Sequence, residues 1–223
     1  MELEKTLAIR PGVTAIIGGG GKTTLLYALA RELCEKSRVI VCTTTHIFPP
    51  AHLPCLVTDS AEEIRQALEQ SRCVCVGSRS EQGKFSAPAV PFETLMTLAP
   101  YVLVEADGAK RLPIKAHAPH EPVVPPQANQ TILVLGVSGL GKRICVCAHR
   151  PELYSRKLGV SEDTVLTPEL AAEFLELERL HTRVLINQVE TEEDLALARR
   201  MAQKLSCPIA AGALEKGRIQ CLS

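Results

Sequence analysis

Tryptophan is missing from the sequence, and aromatic residues make up only 3% of its 223 positions. A core without large rings must rest on Leu, Val, Ile and Ala, as in buried parallel sheets flanked by helices. The same scarcity argues against a protein that holds nucleic acid by stacking bases on rings. Net charge is absent too: 25 Lys and Arg face 25 Asp and Glu. No basic excess can hold a polyphosphate backbone, so nucleic acid is not an expected partner. No apolar run is long enough to cross a membrane. The opening residues, Met1-Glu2-Leu3-Glu4-Lys5, lack the cationic lead and apolar stretch of a signal peptide. The cysteine count, nine, is odd, and the chain is not small. A secreted disulfide scaffold is therefore not expected. These readings point to a reduced, cytoplasmic protein. Its length suits a single domain over residues 1–223.

What is present is an alternation of short apolar runs and amphipathic stretches. Val13–Ile17, Val39–Cys42, Leu56–Thr58, Cys73–Val76, Tyr101–Val104, Ile132–Leu135, Val184–Ile186 and a run near Pro208–Ala211 read as strands. Helices are expected at about 23–36, 61–70, 92–98, from Thr167-Pro168 onward, and at about 192–205. Ser60-Ala61-Glu62-Glu63 reads as a capping box, and Glu81-Gln82-Gly83-Lys84 as a turn. The pattern implies βαβ units: an α/β fold, a mainly parallel sheet with flanking helices. Residues 109–129 hold five prolines and two histidines and little periodicity. So long a loop in a compact domain is expected to be functional or mobile.

Gly18-Gly19-Gly20-Gly21-Lys22-Thr23-Thr24 lies between the first expected strand and helix. Glycines let the backbone turn its N–H groups toward one point. The helix N-terminus adds free N–H groups and partial positive charge. Lys22 can reach the outer phosphates of a nucleotide, and the Thr23 hydroxyl is placed to ligate Mg²⁺. The spacing is shorter than G-x-x-x-x-G-K-[ST]. It resembles the loops of Mur-type ligases and of metallochaperone-like GTPases and ATPases. The expected architecture is a three-layer sandwich like that of P-loop NTPases. A second glycine run, Gly136-Val137-Ser138-Gly139-Leu140-Gly141-Lys142, is followed by Arg143 where a metal-binding hydroxyl would stand. The Ile144-Cys145-Val146-Cys147 after it looks strand-like, so this run reads as a loop.

Other strand ends supply the remaining groups. Glu105-Ala106-Asp107-Gly108 places acids where a parallel strand emerges beside the phosphate loop, so Glu105 or Asp107 can complete a metal shell or orient water. Thr43-Thr44-Thr45-His46 either faces metal and γ-phosphate or caps its loop. Asn187-Gln188-Val189-Glu190 resembles the guanine-reading N-K-x-D motif, with Gln for Lys and Glu for Asp. Alternatively it is a strand end leading to the Thr191 cap. ATP and GTP both stay open. Cys73 and Cys75, and Cys145 and Cys147, each share one face of an expected strand. Core packing is the first account of them; a four-sulfur metal site is the second. His117 and His120 are read as surface residues or as substrate contacts.

The run Val104-Glu105-Ala106-Asp107-Gly108-Ala109-Lys110, with Pro113-Ile114-Lys115-Ala116 and His120-Glu121-Pro122-Val123-Val124-Pro125, resembles the YqeC-like family of selenium-dependent hydroxylase accessory proteins. Gly18–Thr24, Thr44-Thr45-His46, Gly136–Lys142, His149-Arg150-Pro151-Glu152 and Asn187–Glu190 extend the resemblance over nearly the whole chain. Three features depart from the pattern: His117 interrupts K-A-P-x-x-H, Arg143 follows the second Gly-Lys, and Glu190 stands where Asp is commoner. The resemblance implies a cytoplasmic P-loop protein serving the maturation of selenium-containing molybdenum hydroxylases or their cofactor. It gives a pathway more than a reaction.

The expected activity is Mg²⁺-dependent NTP hydrolysis. Gly18, Gly19, Gly20, Gly21, Lys22, Thr23 and Thr24 would hold phosphates, and Asn187 and Glu190 the base. Thr23, Thr45, Glu105 and Asp107 are the metal candidates, and Lys22, Glu105 and Asp107 the catalytic ones. His46, Lys115, His120 and Glu121 are candidates for contact with a second substrate or partner. Arg111 and Arg150 are candidate arginine fingers. Two rivals stand beside this reading: a kinase or Mur-like ligase that activates a small molecule, and a regulator that binds nucleotide without turnover.

Overall fold

Apolar runs too short to bury themselves must pair side by side, and they do. A computed structural model describes residues 2–80 and 83–222. In chain order they form α1 (Leu3–Thr6), β1 (Gly12–Gly18), α2 (Lys22–Leu33), β2 (Val39–Thr43), β3 (Cys55–Leu56), α3 (Ala61–Gln70), β4 (Cys73–Val76), β5 (Ser78–Arg79), β6 (Phe85–Ser86), α4 (Phe92–Leu98), β7 (Tyr101–Glu105), β8 (Ile114–Lys115) and β9 (Ala128–Gly136). The chain continues with α5 (Ile144–Cys147), β10 (Ala148–His149), α6 (Pro151–Leu158), α7 (Pro168–Glu178), β11 (Arg183–Asn187), α8 (Glu192–Ala202), β12 (Ile209–Ala213) and β13 (Arg218–Cys221).

Nine strands make one sheet in the order β13-β12-β11-β9-β1-β7-β2-β4-β3, parallel throughout except for β13. Period-two alternation sorts its side chains. Val13, Ala15 and Ile17 of β1 pack with α3 and α4 or with α5 to α8, while Ile16 packs with α1 and α2 on the other face. The result is the three-layer α/β sandwich expected from the sequence. From β1 the chain moves past β7 to β2, returns through β7, then crosses to β9 on the other side of β1. The strand order thus switches at β1, where a crevice opens outside the strand ends. Because the strands are parallel, Gly18, Thr43, Glu105, Gly136, Asn187 and Ala213 all end on one edge.

Several local expectations change. Ile144–Cys147 is a short helix, not a strand. Ile144 and Cys147 are buried while Cys145 and Val146 are exposed, the three-residue spacing of a helix face. The two cysteine pairs therefore do not lie on two strands. Ser60 caps α3 by accepting from the Glu63 N–H at 3.3 Å, but its own N–H goes to Thr58 Oγ1 at 3.0 Å. The reciprocal half of the expected box is thus supplied by Thr58. The expected turn at 81–84 begins outside the described residues; Gly83 within it has φ +71°. The Pro-rich segment 109–129 is not free of structure: β8 pairs with β10, and Lys115 and Ala116 are buried. No helix among the described residues is long and apolar enough to cross a membrane.

The α6–α7 layer rests on Phe174, fully buried and stacked on Tyr154 with ring centroids 3.6 Å apart. Phe174→Ala is expected to lower the unfolding free energy by about 3–5 kcal/mol, the usual cost of emptying a buried aromatic site. Urea denaturation checks it. A loss below about 1 kcal/mol would show that this layer is not part of the cooperative core.

Candidate functional site

β1 runs into the glycine loop, and α2 begins at Lys22 with no side chain capping it and no acid in its first turn. Its first N–H groups therefore keep their partial positive charge for a ligand. The loop lies tightly on its neighbours. Gly19 N–H donates to Val134 O at 2.8 Å and Gly20 N–H to Leu112 O at 3.1 Å. Gly20 has φ +64°, and a Cβ there would fall 2.1 Å from the backbone nitrogen of Gly136. Only glycine lets the turn sit so close to the end of β9. Lys22 folds back over the loop, donating to Gly18 O at 2.7 Å and lying 3.1 Å from Asp107 Oδ1.

Asp107, fully buried, is the hub. Its Oδ2 accepts from Gly18 N–H at 2.8 Å and from His117 Nε2 at 2.8 Å, with Lys115 Nζ 3.3 Å away. Lys115 also reaches Gly108 O at 2.5 Å and Glu121 Oε2 at 3.0 Å, and Arg150 closes on the same Glu121 oxygen. On its other side His117 Nδ1 meets Glu178 Oε2 at 2.6 Å, and its backbone N–H donates to Glu178 Oε1 at 3.0 Å. Burial alone would raise the Asp107 pKa. The His117 hydrogen bond, then the charges of Lys22 and Lys115, outweigh it and hold the carboxyl far below the usual range. Burial would lower His117; hydrogen bonds to Asp107 and Glu178, and their charges, carry it upward instead. Glu121 is held low against burial by hydrogen bonds from Arg150 and Lys115.

The metal candidates divide. Thr23 Oγ1 donates to Glu105 Oε2 at 2.8 Å across the mouth of the loop. Thr43 Oγ1 donates to Glu105 O at 2.8 Å and lies 3.2 Å from Thr45 Oγ1, so Thr45 stands in the next rank. Burial pushes the Glu105 carboxyl up, against the charge of Lys22 and the Thr23 hydrogen bond. A cation beside it would restore the ionised form. A hydroxyl and a carboxylate are the hard oxygen donors that Mg²⁺ selects, and both fit that ion. Asp107 meets cations instead, which makes it the countercharge of the site.

Beyond the loop lies a cleft of about 500 Å³ lined by Gly20, Gly21, Thr24, Asn187, Gln188 and Glu190, among others. Asn187 fixes its wall: its Nδ2 donates to Gly20 O at 2.8 Å and its Oδ1 accepts from Leu214 N–H at 3.1 Å. Glu190 pairs with Lys216 at the rim. Thr191 caps α8 in a full capping box with Asp194, so this segment both ends a strand and lines the cleft. The second glycine run, expected to be a plain loop, leaves β9 through a 3-10 turn at Val137–Gly139 and adds Val137 and Ser138 to the same cleft. His46 and His120 are exposed and away from these bonds.

Sequence reasoning read His117 as a surface residue or a substrate contact, but its ring is buried between Asp107 and Glu178, and Glu178 was not singled out. Both could have been found. Lys115 and His117 are two apart in an extended segment, hence on one side. Glu178 follows Phe174 by four on α7, an acid in the register of the buried face.

A model of the YqeC protein family matches residues 14–152. The chain belongs to the YqeC family. Over 166 residues it is 34% identical to the uncharacterized protein YqeC of Escherichia coli (strain K12), a match covering 70% of this chain and 64% of that one. The chain thus spans less than two thirds of that relative's length. The span matched to the YqeC family holds the glycine loop, Glu105, Asp107, Lys115, His117, Glu121 and Arg150; Glu178 and Asn187 lie beyond it.

The two shifts set a pH window. Asp107 is depressed, so its contribution to stability is present above about pH 3.9 and lost as pH falls through its folded value. His117 is raised, so its contribution is full below about pH 6.5 and lost as pH rises through its folded value. The difference in thermal stability between the protein and its His117→Gln variant should therefore shrink between neutral and alkaline pH. A constant difference across that range, in melting curves, would place the titration elsewhere.

Proposed function

We propose that this YqeC-family chain binds a nucleoside triphosphate, ATP or GTP, on residues 18–24 and hydrolyses it with Mg²⁺. One observation carries the reading. An uncapped helix N-terminus with its glycine turn and lysine opens between an oxygen pair, Thr23 and Glu105, and a cleft of about 500 Å³. Phosphates would lie on the free N–H groups of α2, the base in the cleft, and the metal beside Thr23. A bound Mg²⁺ would neutralise charge on the phosphate oxygens. Thr23 and Glu105 would hold it, with Thr43 and Thr45 fixing Glu105 from behind. Lys22 must leave Asp107 to reach the phosphates. His117 and Lys115 stay on Asp107 as it does so, and no bare carboxylate is left buried. Lys22 is thereby free to exchange one anion for another.

The wider role proposed is maturation of a selenium-dependent molybdenum hydroxylase or its cofactor, in the cytoplasm. Family membership and the E-A-D-G and H-E-P runs support it. A second reading, phosphorylation or activation of a small anionic molecule, is favoured by the cations gathered around His149.

Titration calorimetry with ATP and GTP, with and without Mg²⁺, is the test. Lys22→Ala is expected to lose about 2–5 kcal/mol of binding, as when one partner of a buried charge pair is cut away. Thr23→Ala should lose the Mg²⁺ dependence while keeping some nucleotide affinity. Glu190→Ala decides the base: a selective loss of GTP binding assigns guanine to that carboxylate. No binding of either nucleotide by the folded protein with Mg²⁺ would overturn the proposal.

A further inference from the structure

Apart from Arg150 as a candidate arginine finger, the motif His149-Arg150-Pro151-Glu152 has no part in the nucleotide reading, yet the fold brings it to the site. β10 pairs in parallel with β8, and His149 lies opposite Lys115 in that register. Residues opposite each other on neighbouring strands project to the same face. Lys115 is the amine beside Asp107, so His149 stands one strand away from the hub of the phosphate loop. The Nδ1 atom of His149 is buried and has no hydrogen-bond partner among the described residues. Buried ring nitrogens are ordinarily satisfied, so this one calls for a ligand or an explanation.

The backbone around it is unusual. Lys110 and Arg111 sit consecutively at φ +48° and +62°, and Arg150 at φ +63°. Side chains in left-handed backbone cost energy and persist only where the surroundings hold them. The Lys110–Arg111 turn is pinned at both ends: Leu112 O accepts from Gly20 N–H of the phosphate loop, and Gly108 O accepts from Lys115 Nζ. Lys110 is exposed. Arg150 is tied to Glu121 and Ala116 O through one guanidinium nitrogen and keeps partial exposure, which leaves donors for a ligand.

The charges acting on His149 are Arg150, Lys115 and Lys110 against the single carboxylate of Glu121. Burial first, then these three cations, hold its pKa below the ordinary histidine range. In a chain with equal numbers of acidic and basic residues, such a local excess is not a reflection of composition. An incoming anion would offset it and, with a small shift of the ring, bond to the unpartnered nitrogen.

We propose that His149, Arg150 and Lys110 form a second anion site beside the phosphate loop, which takes the phosphate or carboxylate group of a co-substrate. That the ligand is a co-substrate of the nucleotide rests on the reading above; that an anion binds there does not.

The test follows the ring resonances of His149 in histidine-labelled protein, assigned by their loss in His149→Asn. Inorganic phosphate and acetate are titrated separately. A saturable shift of His149, with its titration moved upward, is expected with at least one of them. Stronger binding of phosphate identifies a phosphorylated ligand, and stronger binding of acetate a carboxylate. The shift should persist when a non-hydrolysable triphosphate with Mg²⁺ is saturating. Lys110→Ala, an exposed position, should weaken it about tenfold, and Arg150→Lys gives a second variant that keeps the Glu121 pair. No saturable shift with either anion overturns the proposal. So does a shift that disappears once triphosphate is bound, because His149 would then belong to the nucleotide site. If the protein binds no nucleotide but phosphate still moves His149, the nucleotide reading fails and the anion site stands.

Discussion

A buried carboxylate must be neutralised where it stands, and the site is built around that requirement at Asp107. The residue has no exposure, yet its carboxyl is held ionised by a backbone N–H, two lysines and a histidine. These partners come from two distant parts of the chain: Gly18 and Lys22 from the glycine loop, Lys115 and His117 from the Pro-rich segment. Through His117 and Glu178 the same chain of charges reaches the C-terminal end of α7. Cutting such a network at one member strands charge in low dielectric, which is costly. The network therefore fixes how the Pro-rich segment lies on the loop more firmly than apolar contact could. Apolar packing tolerates small slips, and hydrogen-bonded charges do not.

The network around Asp107 is redundant. Lys22 is one of two amines on Asp107, and the His117 ring adds a third partner. Were Lys22 alone there, its departure toward a phosphate would have to overcome the full cost of baring the carboxylate. With Lys115 and His117 remaining, Asp107 would keep two partners of its own.

The architecture was legible because it depends on periodicity, which the sequence carries openly. Apolar runs at β1, β2, β7, β9 and β11, with amphipathic stretches between some of them, leave little choice but a parallel sheet. The glycine loop was legible because few residue types can make that turn. What escaped reading depends on contacts far apart in sequence. His117 and Glu178 are 61 positions apart and meet only once β8 lies against the sheet. Ile144–Cys147 misled because alternating β-branched and small apolar residues suit a strand, while its burial follows a three-residue spacing. The Pro-rich segment, poor in periodic signal, orders itself through Lys115 and Arg150 on Glu121, contacts that composition does not encode.

Parallel topology also explains why the two sides of the loop differ in chemistry. Every strand of β2, β7, β1, β9, β11 and β12 delivers its end to one edge, so the groups at that edge are ordered as the strands are. Moving outward from β1 through β7 to β2, the edge carries Glu105 and the Thr43–Thr45 hydroxyls, oxygens suited to a hard cation. Moving the other way through β9 and β11 to β12, it carries Gly136, Asn187 and Ala213, which frame an open cleft. The two sides thus differ in kind: hydroxyl and carboxylate oxygens on the first, and on the second a cleft whose acids, Glu190 and Asp194 among them, lie past the end of β11. The β8–β10 pair stands outside this row: Ile114 and Ala148 pack into the core with Leu133 and Leu135, and Lys115 makes the charge contact with Asp107. A group held at His149 would thus approach the loop from outside the plane of the sheet, by way of the segment that the Asp107 network orders.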